Sequence, residues 1–300
     1  MSTILITGCS TGLGYATAIR LATEGHTVYA TMRNPSQRPQ LKQMAADNKL
    51  PIHILTMDVL DDDSVQSAVD QVLSVESKVD VLVNNAGIGS WGAVEELPIE
   101  WFNADMETNY FGTVRCIKAL LPSMRQNKSG HIINISTVAA KLFSNFHSSY
   151  CASKAAVEAF SECLAQELLP YQVKVSLVQP AFIETPIFSK INEVPRGTRY
   201  PNIKRYFSLF AAALENHEPP SKVADAVNDI INRKETAFRV PVGLYAAGFL
   251  NYRASLRDEE WISSVAIPDS EWIANMEQMG LQVRKYMQAD GLPVVGGVPA

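Results

Sequence analysis

The 300-residue sequence predicts an α/β fold in which a doubly wound parallel sheet carries helices on both faces. Three observations predict it. Short apolar runs alternate with helix-period segments six times in succession. The first run breaks into a glycine-rich turn that opens a helix. The polar residues capable of chemistry recur where the runs end, at Gly8, Arg33, Asp58, Asn85, Ser136, Thr137 and Pro180, and ligands of such sheets bind outside the carboxyl ends of the strands.

The elements justify this in order. Ile4-Leu5-Ile6-Thr7 is a buried strand, and Gly14, Ala18, Leu21, Ala22 and Gly25 form one small or apolar helix face after it. Between them Gly8, Ser10, Thr11, Gly12, Leu13 and Gly14 make a turn through which backbone can approach a phosphate at a helix N-terminus. Thr27 to Met32 closes a strand-helix-strand unit of ordinary length. Where an acidic residue would clasp a ribose hydroxyl, the chain has Arg33, which favours a 2′-phosphate and so NADP(H) over NAD(H). Residues 35–48 read as helix, 52–57 as a strand ending at Asp58 and Val59, and Asp61-Asp62-Asp63 as the acidic start of a helix over 64–73. Val79 to Val83 is a strand ending in Asn84-Asn85-Ala86-Gly87, followed by one helix over 100–124 with Asn109 inside it and Pro122 near its end. His131 to Ile135 is a strand ending at Ser136-Thr137, residues 150–169 a helix stopped by Pro170, and Val173 to Val178 a strand ending at Pro180. Residues 186–220 read as an irregular stretch rich in aromatic and apolar residues. A helix over 222–231 and an edge strand over 238–243 complete a single domain of residues 1–245, and 246–300 form a helical extension packed on the core. In that extension Trp272, Met276 and Met279 share a helix face and are expected to be core, while residues 291–300 are expected to be loose.

Composition excludes other classes. A net charge of −5 with no basic cluster argues against nucleic acid, and four scattered cysteines argue against a disulfide framework or a metal site. No apolar run is long enough to span a membrane. The first apolar run begins at once and is cut by Thr7-Gly8, so no signal peptide is expected and the cytoplasm is the expected location.

Tyr150 and Lys154 lie four apart on one helix face. A free tyrosine ionises near ~10, and Lys154 together with a cationic cofactor ring would lower that value toward working pH, which would make a general acid. Thr7-Gly8-x-x-x-Gly12-x-Gly14, Asp58, Asn84-Asn85-Ala86-Gly87, Asn109 and Tyr150-x-x-x-Lys154 together resemble the short-chain dehydrogenase/reductase family in its compact branch, over about residues 3 to 245. The resemblance implies a Rossmann-type sheet, a nicotinamide cofactor, and hydride transfer to a carbonyl with Tyr150 as proton donor. It further implies that Lys154 binds the nicotinamide ribose and holds down the Tyr150 pKa, that Asn109 supports a water in the proton relay, and that Asp58 contacts adenine. Thr185 would meet the carboxamide, near Ile183, residues 186–220 would form a lid over the substrate, and a homodimer or homotetramer is expected. The family's substrate-orienting serine position is taken by Thr137 with Ser136 just before it, so either could orient the carbonyl. Phe143, Phe146, Phe182 and Phe188 imply an apolar pocket for a hydrophobic ketone or aldehyde. The reading is an NADPH-dependent carbonyl reductase. An NAD-linked alcohol or hydroxysteroid dehydrogenase and a non-catalytic NADP-binding redox sensor are the alternatives.

Overall fold

The structure, a computed structural model, describes residues 1–188, 198–215, 217–232 and 237–295. Seven strands run parallel in the order β3-β2-β1-β4-β5-β6-β7: β1 (Thr3–Ile6), β2 (Thr27–Met32), β3 (Ile52–Thr56), β4 (Val81–Asn84), β5 (Gly130–Ile135), β6 (Val173–Pro180) and β7 (Arg239–Val242). The order reverses between β1 and β4, which pair in register from Ile4 with Val81. A crevice therefore opens at their carboxyl ends, between loops that leave in opposite directions.

Each face of the sheet buries its own core. Helices α1 (Gly12–Thr23) and α9 (Ser221–Asn232) cover one face, where Ile4, Ile6, Ala18, Leu21, Val223 and Val227 are sealed from solvent. On the other, α3 (Asp62–Glu76), α5 (Gly112–Asn127) and α7 (Ser148–Leu168) pack on Leu5, Leu82 and Ile132. Alternate residues of β1 thus feed opposite cores, as the two-residue period of a strand dictates. α3 starts where the acidic run predicts, with the Asp61 carboxylate accepting from the Asp63 and Ser64 amides. α2 (Gln40–Asp47) is shorter than the expected helix over 35–48.

Two local differences from the expected elements matter for function. The helix expected over 100–124 is α4 (Ile99–Asp105), then a π-helical turn over Met106–Phe111, then α5, which continues through Pro122. The widened turn carries Asn109, and π-turns of this kind concentrate at functional sites. The segment expected to be an irregular lid over 186–220 contains a helix, α8 (Ile203–Glu215); residues 189–197 and 216 lie outside the described residues.

The C-terminal stretch forms α10 (Ala246–Ser255), α11 (Asp258–Ser263), α12 (Asp269–Gln278) and α13 (Arg284–Gln288), and a short helix, α6 (Ala139–Leu142), precedes α7. Arg205 fixes α8 to this stretch. It is almost fully buried, and donates to the carbonyls of Val265 (3.1 Å) and Ile267 (2.7 Å) and to the Asp269 carboxylate (2.6 Å), with its guanidinium over the Trp272 ring. Of the tail expected to be loose, residues 296–300 lie outside the described residues, while Val295 is buried against the α8 aromatics.

Candidate active site

A cavity of about 1190 Å³ lies at the carboxyl end of the sheet and is lined by residues from nearly every strand-to-helix loop. It exceeds the usual ~300–1,000 Å³ of a small-molecule pocket, as a site for two ligands at once would.

At one end the lining is mostly backbone. Gly8, with φ +72°, leaves β1 so close to the next loop that an added Cβ would stand 2.8 Å from the Ala86 Cα. The Asn85 amide secures this approach by donating to the carbonyls of Thr7 (2.9 Å) and Gly8 (3.1 Å), and the Thr7 hydroxyl accepts from the Asn85 and Ala86 amides, each at 2.9 Å. The N-terminus of α1 has no side-chain cap, so its first amides face the cavity beside Ser10, Thr11, Gly12 and Leu13. Arg33 and Arg38 line the same end, with Asp58 and Val59 opposite. A dinucleotide fits this donor set: free helix amides for a diphosphate and guanidinium groups for a further phosphate. Gly87, Pro180, Ile183 and Thr185 continue the wall toward the catalytic candidates.

In the middle stand Tyr150, Lys154 and Thr137. The first turn of α7 puts Tyr150 and Lys154 one above the other, and Lys154 Nζ donates to the Ile135 carbonyl at 2.9 Å. Burial lowers the Lys154 pKa to about 8, against the pull of Asp105. Burial also drives the Tyr150 phenol upward, Cys151 and Asp105 add to this, and the Thr137 hydroxyl works in the opposite direction. The sequence reading expects Lys154 together with a cationic cofactor ring to hold the phenol down; in the chain alone desolvation drives it upward.

Ser136 and Thr137, left as equals by the sequence, part company here. The Ser136 hydroxyl donates to Glu158 Oε1 at 2.9 Å, inside a buried cluster where Gln179 Nε2 (2.7 Å) and Arg239 Nε (3.1 Å) also meet Glu158. The Thr137 hydroxyl lies toward Tyr150, with a long bond to the Pro180 carbonyl at 3.3 Å. Asn109 stands behind the cavity wall. Its amide donates to the Ile88 carbonyl and to Ser153 Oγ, and its Oδ1 accepts from the Ile88 N–H, all at 2.9 Å. The side chain is therefore committed to protein, and it holds the Gly87-Ile88 backbone opposite Lys154. Gly14 also sits outside the lining, pressed against the Gly8 carbonyl.

Three features escaped the sequence reading. His147 stacks on Tyr150 (4.7 Å between centroids, 14° between planes) and on Trp91 (5.2 Å, 19°). Burial takes its pKa down to about 3, so the ring is neutral. Its position three residues before Tyr150, one helical turn away, was the available signal. Asp105, fully buried, accepts from Ser149 (2.6 Å) and Ser90 (3.1 Å) behind the catalytic pair, and burial raises its pKa. It precedes Asn109 by four residues, again one turn. Arg38 had no signal beyond its charge.

The far end is apolar. Phe143, Phe182 and Phe188 line it, whereas Phe146 is buried against Tyr200 and Tyr206 outside the lining. The stripe Trp272, Met276 and Met279, expected to be core, lines the cavity, and Trp272 and Met276 also pack on the core around Ile273, Leu281 and Val283, because α12 lies along the cavity edge and only Ile273 turns fully inward.

This geometry of a glycine-cradled crevice, a Tyr-Lys pair and a neighbouring hydroxyl is that of a dehydrogenase site, and the comparisons agree. The chain belongs to the short-chain dehydrogenase/reductase family: a family profile described as "short chain dehydrogenase" matches residues 2–196. It is an NAD(P)-dependent oxidoreductase acting on CH–OH and C=O groups. It is similar to a 3-ketodihydrosphingosine reductase of Bacteroides thetaiotaomicron, 38% identical over 244 residues that cover 80% of this chain and 87% of that protein. The 17-beta-hydroxysteroid dehydrogenase type 1 of Mus musculus is 34% identical over 244 residues, covering 79% and 70%. Among solved structures, a short-chain dehydrogenase from Streptomyces avermitilis superposes with TM-score 0.74 at 29% identity, covering 93% of this chain and 97% of that one. An actinorhodin polyketide ketoreductase variant with NADPH gives 0.72 at 28%, covering 84% and 98%. No helix among the described residues is long and apolar enough to cross a membrane.

Proposed function

We propose that this protein is an NADPH-dependent reductase of hydrophobic ketones or aldehydes, reversible as an alcohol dehydrogenase, with Tyr150 as the proton donor. The observation that carries the reading is that the Tyr150 phenol, with the Thr137 hydroxyl against it, and Lys154 one turn further along α7 line one cavity between a backbone-built cradle and an apolar chamber. The nicotinamide cofactor supplies the hydride. Thr137 and Tyr150 orient the substrate carbonyl by donating to its oxygen, and Tyr150 passes its proton to the alkoxide as negative charge develops there. Lys154, anchored on Ile135, holds positive charge beside the phenol and binds the nicotinamide ribose. Asn109 keeps the Gly87-Ile88 backbone in place for that contact. In the oxidative direction the same phenol must first lose its proton, so its upward shift favours oxidation at alkaline pH.

Preference for NADP(H) over NAD(H) is supported by two guanidinium groups, Arg33 and Arg38, at the cradle end of the cavity. Asp58 stays with the adenine in this reading, its Oδ1 already accepting from the Leu60 amide at 3.1 Å. Free cysteines, three buried and Cys163 exposed, suit a reducing, cytoplasmic setting, and a homodimer or homotetramer is the expected assembly.

The test is steady-state reduction of a carbonyl panel with NADPH and with NADH, with Tyr150→Phe measured alongside. Turnover favouring NADPH is expected, with a loss of roughly a hundred- to ten-thousandfold in the variant and little change in its NADPH Kd. Tight NADPH binding without turnover of any carbonyl would point to a redox sensor, and Tyr150→Phe turning over at the parental rate would remove Tyr150 from the donor role.

A further inference from the structure

The cavity does not stop at the catalytic residues. It continues between α8 and the C-terminal helices, where Phe249, Ile262, Val265, Met276 and Met279 line it. None of these residues lies within the part of the chain that the family profile matches.

Three properties define what this compartment would hold. Asn202, Ser264 and Arg205 among its polar side chains are committed to protein, whereas the Tyr206 hydroxyl on α8 is buried without a hydrogen-bond partner. Asn202 Nδ2 donates to the Val265 carbonyl at 3.2 Å, Ser264 Oγ to the Trp261 carbonyl at 2.6 Å, and Arg205 to Val265, Ile267 and Asp269. A ligand lying here gains mainly burial, with the Tyr206 hydroxyl open to a single polar group, so a molecule carrying several distal hydroxyls would be left without much compensation. Second, Met276 and Met279 are unbranched and adaptable, and can follow a ligand that has no single shape. Third, the compartment runs out to solvent along apolar side chains: Ile262 is 70% exposed, Tyr252 41% and Phe143 50%, and all three also line the cavity. An apolar path from buried catalytic groups to an apolar rim suits an extended hydrocarbon more than a compact ring system.

We infer that the compartment between α8 and the C-terminal helices is the binding site for an unbranched hydrocarbon tail, and that the substrates are carbonyls, or the corresponding alcohols, borne on long aliphatic chains. This rests on the carbonyl-reductase reading above. The carbonyl sits at Tyr150 and Thr137, the chain lies along α8, and its distal carbons emerge between Phe143 and Ile262. The C-terminal helices thereby become a specificity element, clipped to α8 by Arg205.

The experiment is NADPH-dependent reduction of straight-chain methyl ketones from butanone to hexadecanone, beside a fused polycyclic ketone of matching carbon count. The parent protein is compared with Met276→Trp and Met279→Trp. Expected is a kcat/KM that rises by about fourfold per added methylene until the compartment is filled, the ratio that burying one methylene supplies. The tryptophan variants should lower the hexadecanone-to-butanone ratio by roughly tenfold or more, the equivalent of about two methylenes displaced. A flat dependence on chain length, an unchanged ratio in both variants, or a preference for the polycyclic ketone would overturn the inference while leaving the reductase reading intact. Absence of turnover on every ketone would instead overturn the reductase reading, and the inference with it.

Discussion

The two ends of the cavity are built by different means. The cradle end is made of backbone: glycines, helix amides and the Asn85 amide tying two loops together, all on the sheet. The far end is made of side chains on helices that join the sheet only through packing and a few polar clips such as Arg205. Backbone recognition depends on tight spacing and fails when a single methyl is added. Side-chain recognition depends on volume and tolerates exchange. The shared chemistry of the cofactor therefore belongs on the first, and the choice of substrate on the second.

The largest expected effect breaks the cradle. In Gly14→Ala the new Cβ would stand 2.5 Å from both the Gly8 carbonyl oxygen and Asn85 Nδ2, and neither can retreat without opening the turn. We expect NADPH affinity to fall by roughly a hundredfold or more and Tm to drop, since overpacking against backbone costs about 3 kcal/mol or more. Calorimetric titration with NADPH checks it, and near-parental affinity would contradict the comparison.

Next, Arg205→Met should strike the far end alone. It strands the Ile267 carbonyl, leaves the Val265 carbonyl with Asn202 alone and frees Asp269, a loss of about 1–3 kcal/mol that lowers Tm by several degrees. KM for large apolar carbonyls should rise about tenfold while the NADPH Kd stays put. Equal damage to both constants would mean that the two ends are not separable.

A smaller effect lies at their junction. Asp105→Asn keeps one oxygen to accept from Ser149, turns the other into an NH2 that can donate to the Ser90 hydroxyl, and removes a negative charge that raises both the Tyr150 and Lys154 pKa values. With that charge gone, the phenol ionises at lower pH, so the rising limb of alcohol oxidation should move to lower pH. A purely structural aspartate would change rates without moving the limb. The smallest effect is the counterpart of the first: in Gly248→Ala on α10 the added Cβ meets nothing within 4 Å, and helix propensity alone should raise stability by up to about 1 kcal/mol. Thermal melts decide it.

This contrast also explains what could be read in the sequence. The sheet and the cradle were legible because their rules are local: apolar runs of strand length, glycines at fixed spacing, and a Tyr-Lys pair one turn apart. α8 was not. Its Ile203, Phe207, Phe210 and Leu214 do fall at helical spacing, but the irregular sequence before them drew the whole of 186–220 into one loop. The stripe of Trp272, Met276 and Met279 was seen, but the sequence holds no sign of whether it meets protein or a cavity. Ser136 and Thr137 could not be told apart until Glu158 was found behind the strand end. How far desolvation raises the Tyr150 phenol depends on how much protein surrounds the ring, and no motif encodes that.

The Arg205 clip has a consequence for how such a protein can diversify. Two of its bonds go to main-chain carbonyls, which every amino acid carries, so the 261–267 stretch can be rewritten residue by residue without unfastening it. The fastening is indifferent to the text it holds. Single substitutions at Ile262 or Val265 can thus retune which molecules enter while the reaction at Tyr150 goes on unchanged, and new appetites can be tried one letter at a time with the catalyst still running.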